Sequence, residues 1–252
     1  MIKTRINQIR VSSTLSFFKN ALMKKYNLTE YSDLDKPAIF NGMYRREDYD
    51  AAINHRGHKT IIWCGTDATY IRFYGRYFMK LKKARHIVKS EFLKKDLIKY
   101  GVESTIIPVT STSVIKNQQP RGDNIYFYGS TRKIYAYGYN YVEELMAKTK
   151  YNIILATKDT YSKEDLQEVY KSCFIGLRLT AHDGLPNTVC EMNLMGRRCI
   201  YNGNLPNSIP FTDTDSIIRA VDNEFLIRNE DNSFIVNDIY KYLNLNDSWL
   251  YV

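Results

Sequence analysis

Short β-branched and aromatic runs alternate with longer amphipathic stretches along the whole chain, a rhythm that predicts an α/β protein. In the first half, strands are predicted over Pro37–Met43, Lys59–Cys64, Ala84–Lys89 and Ser104–Val109, with a weaker one over Thr4–Val11. Helices are predicted between them over Thr14–Tyr26, Arg45–His55, Asp67–Lys82 and Ser90–Tyr100. Ser90 reads as the N-cap of the last helix and Gly101 as its stop. The polar stretch 116–124, KNQQPRGDN, breaks the rhythm and reads as a linker. Beyond it, strands are predicted over Asn124–Tyr128, Asn152–Thr157, Phe174–Leu179 and Arg198–Tyr201, with a weaker one over Ser216–Val221. Helices follow over Tyr137–Lys148, Lys163–Lys171, where Ser162 and Asp165 form a start signal, and Pro186–Met195.

Two blocks of alternation imply two doubly wound domains with parallel sheets, residues 1–118 and 119–252. In such folds ligands collect at the carboxyl ends of the strands, so the cleft between two facing domains is the expected site. The aromatic ending Trp249-Leu250-Tyr251 predicts a tail that packs back on the N-terminal domain.

At 252 residues and 44% apolar content the chain can build two real cores. No apolar run reaches the roughly 18–20 residues of a membrane span, and the opening MIKTRINQIRVSS lacks the apolar core of a signal peptide. The four cysteines, Cys64, Cys173, Cys190 and Cys199, show no CxxC spacing and read as reduced core residues of a cytoplasmic protein. His55 and His58 have no further ligands in reach of a zinc pattern, so no metal site is expected. The net charge of +9 suits phosphorylated ligands, anionic membranes or nucleic acid. It is spread over helices such as Phe78–Arg85 and Ser90–Tyr100, and no compact nucleic-acid recognition motif is visible.

The densest chemistry lies in Leu179–Ile200, LTAHDGLPNTVCEMNLMGRRCI. Asp183 opens a Gly-Leu-Pro turn, a helix begins near Pro186, Glu191 lies on that helix and Gly196 ends it. A helix start offers unpaired N–H groups and a partial positive charge, which suits a diphosphate. Carboxylates on either side accept hydrogen bonds from hydroxyl groups. Phosphate and sugar hydroxyls held together are what a nucleotide-sugar site requires.

Three stretches resemble the family 4 retaining glycosyltransferases, whose GT-B architecture has two Rossmann-like domains facing across a cleft. HDGLPNTVCEMNLMG resembles the family's E-x7-E motif, with Asp183 and Glu191 at the two acids and Gly196 ending the helix. HIVKSEFLKKDLIKYGVESTIIPV resembles the segment that closes the first domain, and NIYFYGS the first strand and glycine turn of the second. The chain is short for that family, whose compact members occur in viruses and phages; for a virus-encoded member the compartment would be the host cytoplasm. The resemblance implies that Glu191 accepts hydrogen bonds from the donor ribose and that Asp183 contacts the transferred sugar. It implies that backbone from Gly184, Leu185, Pro186, Asn187 and Thr188, with Gly129 and Ser130, faces the donor. Arg132 and Lys133 would hold the diphosphate. Asp67, at the end of a strand in WCGTDA, is a sugar-side or acceptor-side candidate; Ser12 and Ser13, with Thr14, stand where the family has a glycine-rich loop. The chain departs from the pattern in having Asp at the first acid, an adjacent Arg-Lys pair, and Met192, Asn193 and Leu194 after the second acid.

The implied reaction is transfer of a sugar from a GDP- or UDP-sugar to a hydroxyl of a glycan or glycoprotein, with retention. No acidic pair in a metal-binding context is evident, so the expected enzyme needs no metal and no cofactor beyond its nucleotide-sugar substrate. A non-catalytic nucleotide-sugar-binding module and a GT-B sugar-nucleotide epimerase are the alternatives, and a nucleic-acid-binding protein is the weakest. Oligomeric state is not legible.

Overall fold

The computed structural model describes residues 3–131, 133–157 and 160–252, without the side chains of residues 163 and 164. The chain forms two compact units. Unit 1 comprises Met1–Ser113, His182–Leu185 and Leu245–Val252; unit 2 comprises Val114–Ala181 and Pro186–Asn244.

In unit 1 the strands are β1 (Gln8–Val11), β2 (Thr29–Glu30), β3 (Ala38–Asn41), β4 (Lys59–Trp63), β5 (Arg85–Val88) and β6 (Thr105–Ile106). They make one parallel sheet in the order β2-β1-β3-β4-β5-β6. The helices are α1 (Lys19–Tyr26), α2 (Arg46–Asn54), α3 (Asp67–Tyr70), α4 (Gly75–Met79) and α5 (Glu91–Ile98). Successive strand residues point to opposite faces, and both faces here are apolar. Phe40, Ile61, Trp63 and Val88 pack with Tyr49, Ala68, Phe78 and Leu93. Ile9, Ile39, Ile62 and Ile87 pack on the other side with Leu22, Tyr26, Trp249 and Leu250. The segment Leu245–Val252 therefore completes the core of unit 1. The Ile6 N–H donates to the Leu250 carbonyl at 2.6 Å, and Thr4 and Val252 exchange backbone hydrogen bonds of 2.9 and 3.0 Å.

Unit 2 holds β7 (Asn124–Tyr128), β8 (Ile153–Ala156), β9 (Cys173–Leu177) and β10 (Arg198–Ile200), parallel in the order β10-β9-β7-β8. Its helices are α6 (Tyr139–Lys148), α7 (Lys163–Lys171), α8 (Asn187–Leu194), α9 (Thr214–Leu226) and α10 (Ser233–Leu243). Ile125, Phe127, Ile175 and Leu177 share one face with Val142, Leu145 and Ile217. Gly176 faces the other side. A Cβ there would lie 2.5 Å from Met192 Sδ and 2.7 Å from Cys199 Sγ, so the glycine lets α8 approach β9 closely.

Four expectations are corrected. Residues 216–221 are helical, within α9: Asp213 caps it by accepting from the Ser216 N–H at 2.7 Å, and Ile217, Ala220 and Val221 are buried at helical spacing. The single helix expected over Asp67–Lys82 is two short ones, broken before Gly75. That expected from Thr14 starts as a 3₁₀ turn over Ser13–Phe18, with non-helical Leu15, before α1. The polar stretch 116–124 is also no free linker. The Asn117 N–H donates to the Leu194 carbonyl at 3.0 Å, and buried Arg121 donates through Nε to the Arg228 carbonyl at 2.9 Å.

The anchor of that stretch is Arg197, which is fully buried. Its guanidinium donates to the carbonyls of Tyr170, Cys173, Lys171 and Gln119 at 2.9–3.2 Å, and also to those of Met195 and Pro120. Burial lowers its pKa to about 10. One side chain thus ties the end of α7, the start of β9, the end of α8 and the strap at 119–120. Each acceptor left unpaired in the interior costs about 1–3 kcal/mol. Arg197→Lys, which keeps the charge but cannot span these acceptors, should therefore lose at least about 3 kcal/mol, measured by urea unfolding.

Candidate functional site

The sequence-predicted residues fall in both units. In unit 1 they gather at the carboxyl edge of the sheet. Ser12, just after β1, is buried, and its hydroxyl donates to Asp48 Oδ2 at 2.7 Å. The same oxygen accepts from the N–H groups of Tyr44 and Arg45 at 3.1 and 3.0 Å. Ser13 and Thr14 are exposed.

Asp67, just after β4, is fully buried. Its carboxylate accepts from the N–H groups of Met43, Cys64, Gly65 and Ala68 at 2.7–3.2 Å. Ser12 and Asp67 therefore brace the loops after β3 and β4 from within. Burial pushes the Asp67 pKa up to about 6, against the pull of those N–H donors and of the Lys89 charge. Burial likewise raises the Cys64 thiol to about 12, so Cys64 is a protonated, inert thiol.

Onto this edge docks the turn His182–Leu185. A Cβ on Gly184 would lie 2.1 Å from the Cys64 carbonyl oxygen, so only glycine permits this approach. Ser90, the N-cap of α5, donates its hydroxyl to the Asp183 carbonyl at 3.0 Å. His182 Nε2 lies 2.8 Å from Asp96 Oδ2, and the Gly184 N–H donates to Asp183 Oδ1 at 2.8 Å. The turn carrying Asp183 and the loop held by Asp67, far apart in sequence, thus share one edge.

In unit 2, α8 begins at Pro186 with no side-chain cap among the described residues and no acid in its first turn. The positive end of the helix dipole there is not offset by a carboxylate of its own first turn. Asn187 and Thr188 are half-buried, while Pro186 is buried. Glu191 is half-buried on α8, and its Oε2 accepts from the Tyr170 hydroxyl at 3.2 Å. Tyr170 in turn packs edge-on against Tyr126, with centroids 5.0 Å apart. At the carboxyl end of β7, the Gly129 N–H donates to the Ala156 carbonyl at 3.1 Å, and the Ser130 carbonyl accepts from the Lys133 N–H at 3.0 Å. Lys133 is exposed; Arg132 lies outside the described residues.

Sequence reasoning missed Arg178, the residue after β9. Its guanidinium lies over the rings of Tyr128 and Tyr137, 5.3 and 5.1 Å from their centroids. The signal was one cation inside the apolar run FIGLRLT, at the strand end where ligands collect. Among the described residues no group of three or more His, Cys, Asp or Glu is placed to hold a metal ion. Nor is any helix among them long and apolar enough to cross a membrane.

No protein-family model matches the chain, and no curated protein matches it by sequence. Solved structures do match by fold. A mutant of S. aureus TarM, in complex with fondaparinux, alpha-GlcNAc-glycerol and UDP, has a TM-score of 0.58 at 12% identity; the match covers 92% of this chain and 57% of that one. The lipopolysaccharide outer core galactosyltransferase WaaB, in its apo form, has a TM-score of 0.57 at 14% identity, covering 94% of this chain and 80% of that one. The pneumococcal O-GlcNAc transferase GtfA, in complex with UDP and GlcNAc, has a TM-score of 0.51 at 12% identity, covering 92% of this chain and 57% of that one. The chain shares the α/β GT-B fold of these glycosyltransferases and spans little more than half the length of TarM and GtfA.

Ionisation of Asp67 is harder in the folded than in the unfolded chain. Its contribution to stability is therefore full below its ordinary value of 3.8 and is lost as the pH rises through about 6. Carbon-detected NMR should find this carboxyl titrating near pH 6. A midpoint near its ordinary value of 3.8 would mean that the backbone donors offset burial.

Proposed function

We propose that the chain is a glycosyltransferase that moves a sugar from a nucleoside diphosphate sugar, UDP- or GDP-linked, to a hydroxyl of a glycan. The observation that carries this reading is the start of α8, without a side-chain cap among the described residues and set in sequence between Asp183 and Glu191, in a chain with the GT-B fold. Glu191, oriented by the Tyr170 hydroxyl, accepts from the ribose hydroxyls. The first N–H groups of α8 face the diphosphate. Asp183, on its glycine-dependent turn, contacts the transferred sugar.

Breaking the bond between the sugar and the diphosphate places charge on the leaving group while the sugar becomes oxocarbenium-like. A preorganised donor aimed at such charge typically lowers the barrier by about 3 kcal/mol. Lys133, Arg132 and Arg178 join the α8 dipole in supplying that charge in place of a divalent metal; retention at the sugar carbon is what the family resemblance implies. The TarM and GtfA structures that hold UDP support the nucleotide part of this reading.

Glu191→Ala should abolish UDP- or GDP-sugar binding in calorimetry; unchanged affinity would remove the ribose assignment. Sugar transfer, or slow donor hydrolysis, should survive EDTA at full rate. A requirement for added manganese would overturn the metal-free scheme.

A further inference from the structure

The stretch between Ala68 and Ser90 contains Arg72, Arg76, Lys80, Lys82, Lys83, Arg85 and Lys89 and no acidic residue. It opens as a broken helical segment whose two sides differ. Ile71, Phe78 and Leu81 are buried in the core of unit 1. Arg72, Phe73, Arg76, Met79, Lys80 and Lys83 are exposed, with Phe73 at 66% and Met79 at 60%. Arg72 lies over its neighbour's ring, 4.6 Å from the Phe73 centroid. None of the four exposed cations is in an ion pair among the described residues. Two large apolar side chains thus stand in water amid uncompensated positive charge.

A solvated lysine helix has no use for exposed phenylalanine and methionine. An anionic polymer would be met by the cations alone, and a single strand of nucleic acid calls for a series of exposed stacking rings, whereas here Tyr70, Tyr74 and Tyr77 are half-buried and Phe73 alone stands out. A bilayer surface rich in anionic lipid engages both: headgroup phosphates meet the cations, and apolar side chains enter the boundary between headgroups and acyl chains. We propose that the Arg72–Lys83 face of unit 1 docks on an anionic membrane surface, with Phe73 and Met79 entering the interface. The site of sugar transfer plays no part in this inference.

Vesicle co-sedimentation tests it with the full chain, using phosphatidylcholine vesicles with and without phosphatidylglycerol. The wild type should pellet only with the anionic vesicles. Phe73→Ser with Met79→Ser should lower partitioning about tenfold, and Arg72→Glu with Arg76→Glu and Lys80→Glu should abolish it. Both variants alter exposed positions, so an unchanged melting temperature certifies their folding. Failure of the wild type to pellet with anionic vesicles would overturn the proposal. So would wild-type partitioning by the Phe73/Met79 variant, since charge alone would then explain binding. Tighter binding to an RNA oligonucleotide than to the vesicles would reassign the face to nucleic acid.

Discussion

The approach of Gly184 to the Cys64 carbonyl is the contact on which the candidate site depends. No other residue can come so near a backbone oxygen, and the contact draws four residues of the C-terminal half onto the sheet edge of unit 1. Ser90 and Asp96 then hold the turn through the Asp183 carbonyl and the His182 ring. As a result the two acids of the motif belong to different compact bodies, Asp183 to unit 1 and Glu191 to unit 2. A spacing that looks local in sequence is shared between two folding units.

Unit 2 is organised by a different device. Its sheet is only four strands wide, and much of its interior polarity is managed by cations that serve backbone carbonyls. Arg197 gathers the ends of several elements, and Arg121 closes the end of α9 while lying near Glu224, which also pairs with Arg198 at 2.9 Å. Part of the positive charge seen in the composition is therefore architectural. Removing one such buried group leaves its partners uncompensated in the interior, which is strongly destabilising.

The fold was legible where the inner strands are buried on two faces and read as apolar runs, as in Ile61–Trp63 and Ile125–Phe127; β7 and α7 have the predicted bounds, whereas the short exposed β2 gave no such signal. Residues 216–221 misled because a β-branched run suits a strand until the Asp213 cap is weighed. The motif at Asp183 and Glu191 was visible in spacing, but its docking was not, since Gly184 gives no sign of the carbonyl it meets. Asp67 was legible as a strand-end acid; its enclosure by backbone donors was not. Arg178 was hidden because it fell inside the predicted strand Phe174–Leu179; only the fold ends that strand at Leu177 and shows the guanidinium beside Tyr128 and Tyr137.

The chain passes between its two units four times, near residues 113, 181, 185 and 244. Neither half of the sequence is thus a separable module. A fragment cut at residue 113 would lose the indole of Trp249 that rests edge-on against Tyr26 and the Leu250 backbone that pairs with Ile6. It would strip part of the greasy underside of its own sheet, leaving Leu22 and Tyr26 of α1 against Ile9, Ile39 and Ile62. In a growing polypeptide that side keeps only part of its cover until residues 245–252 emerge, so the first unit reaches its finished state only after the second has been synthesised.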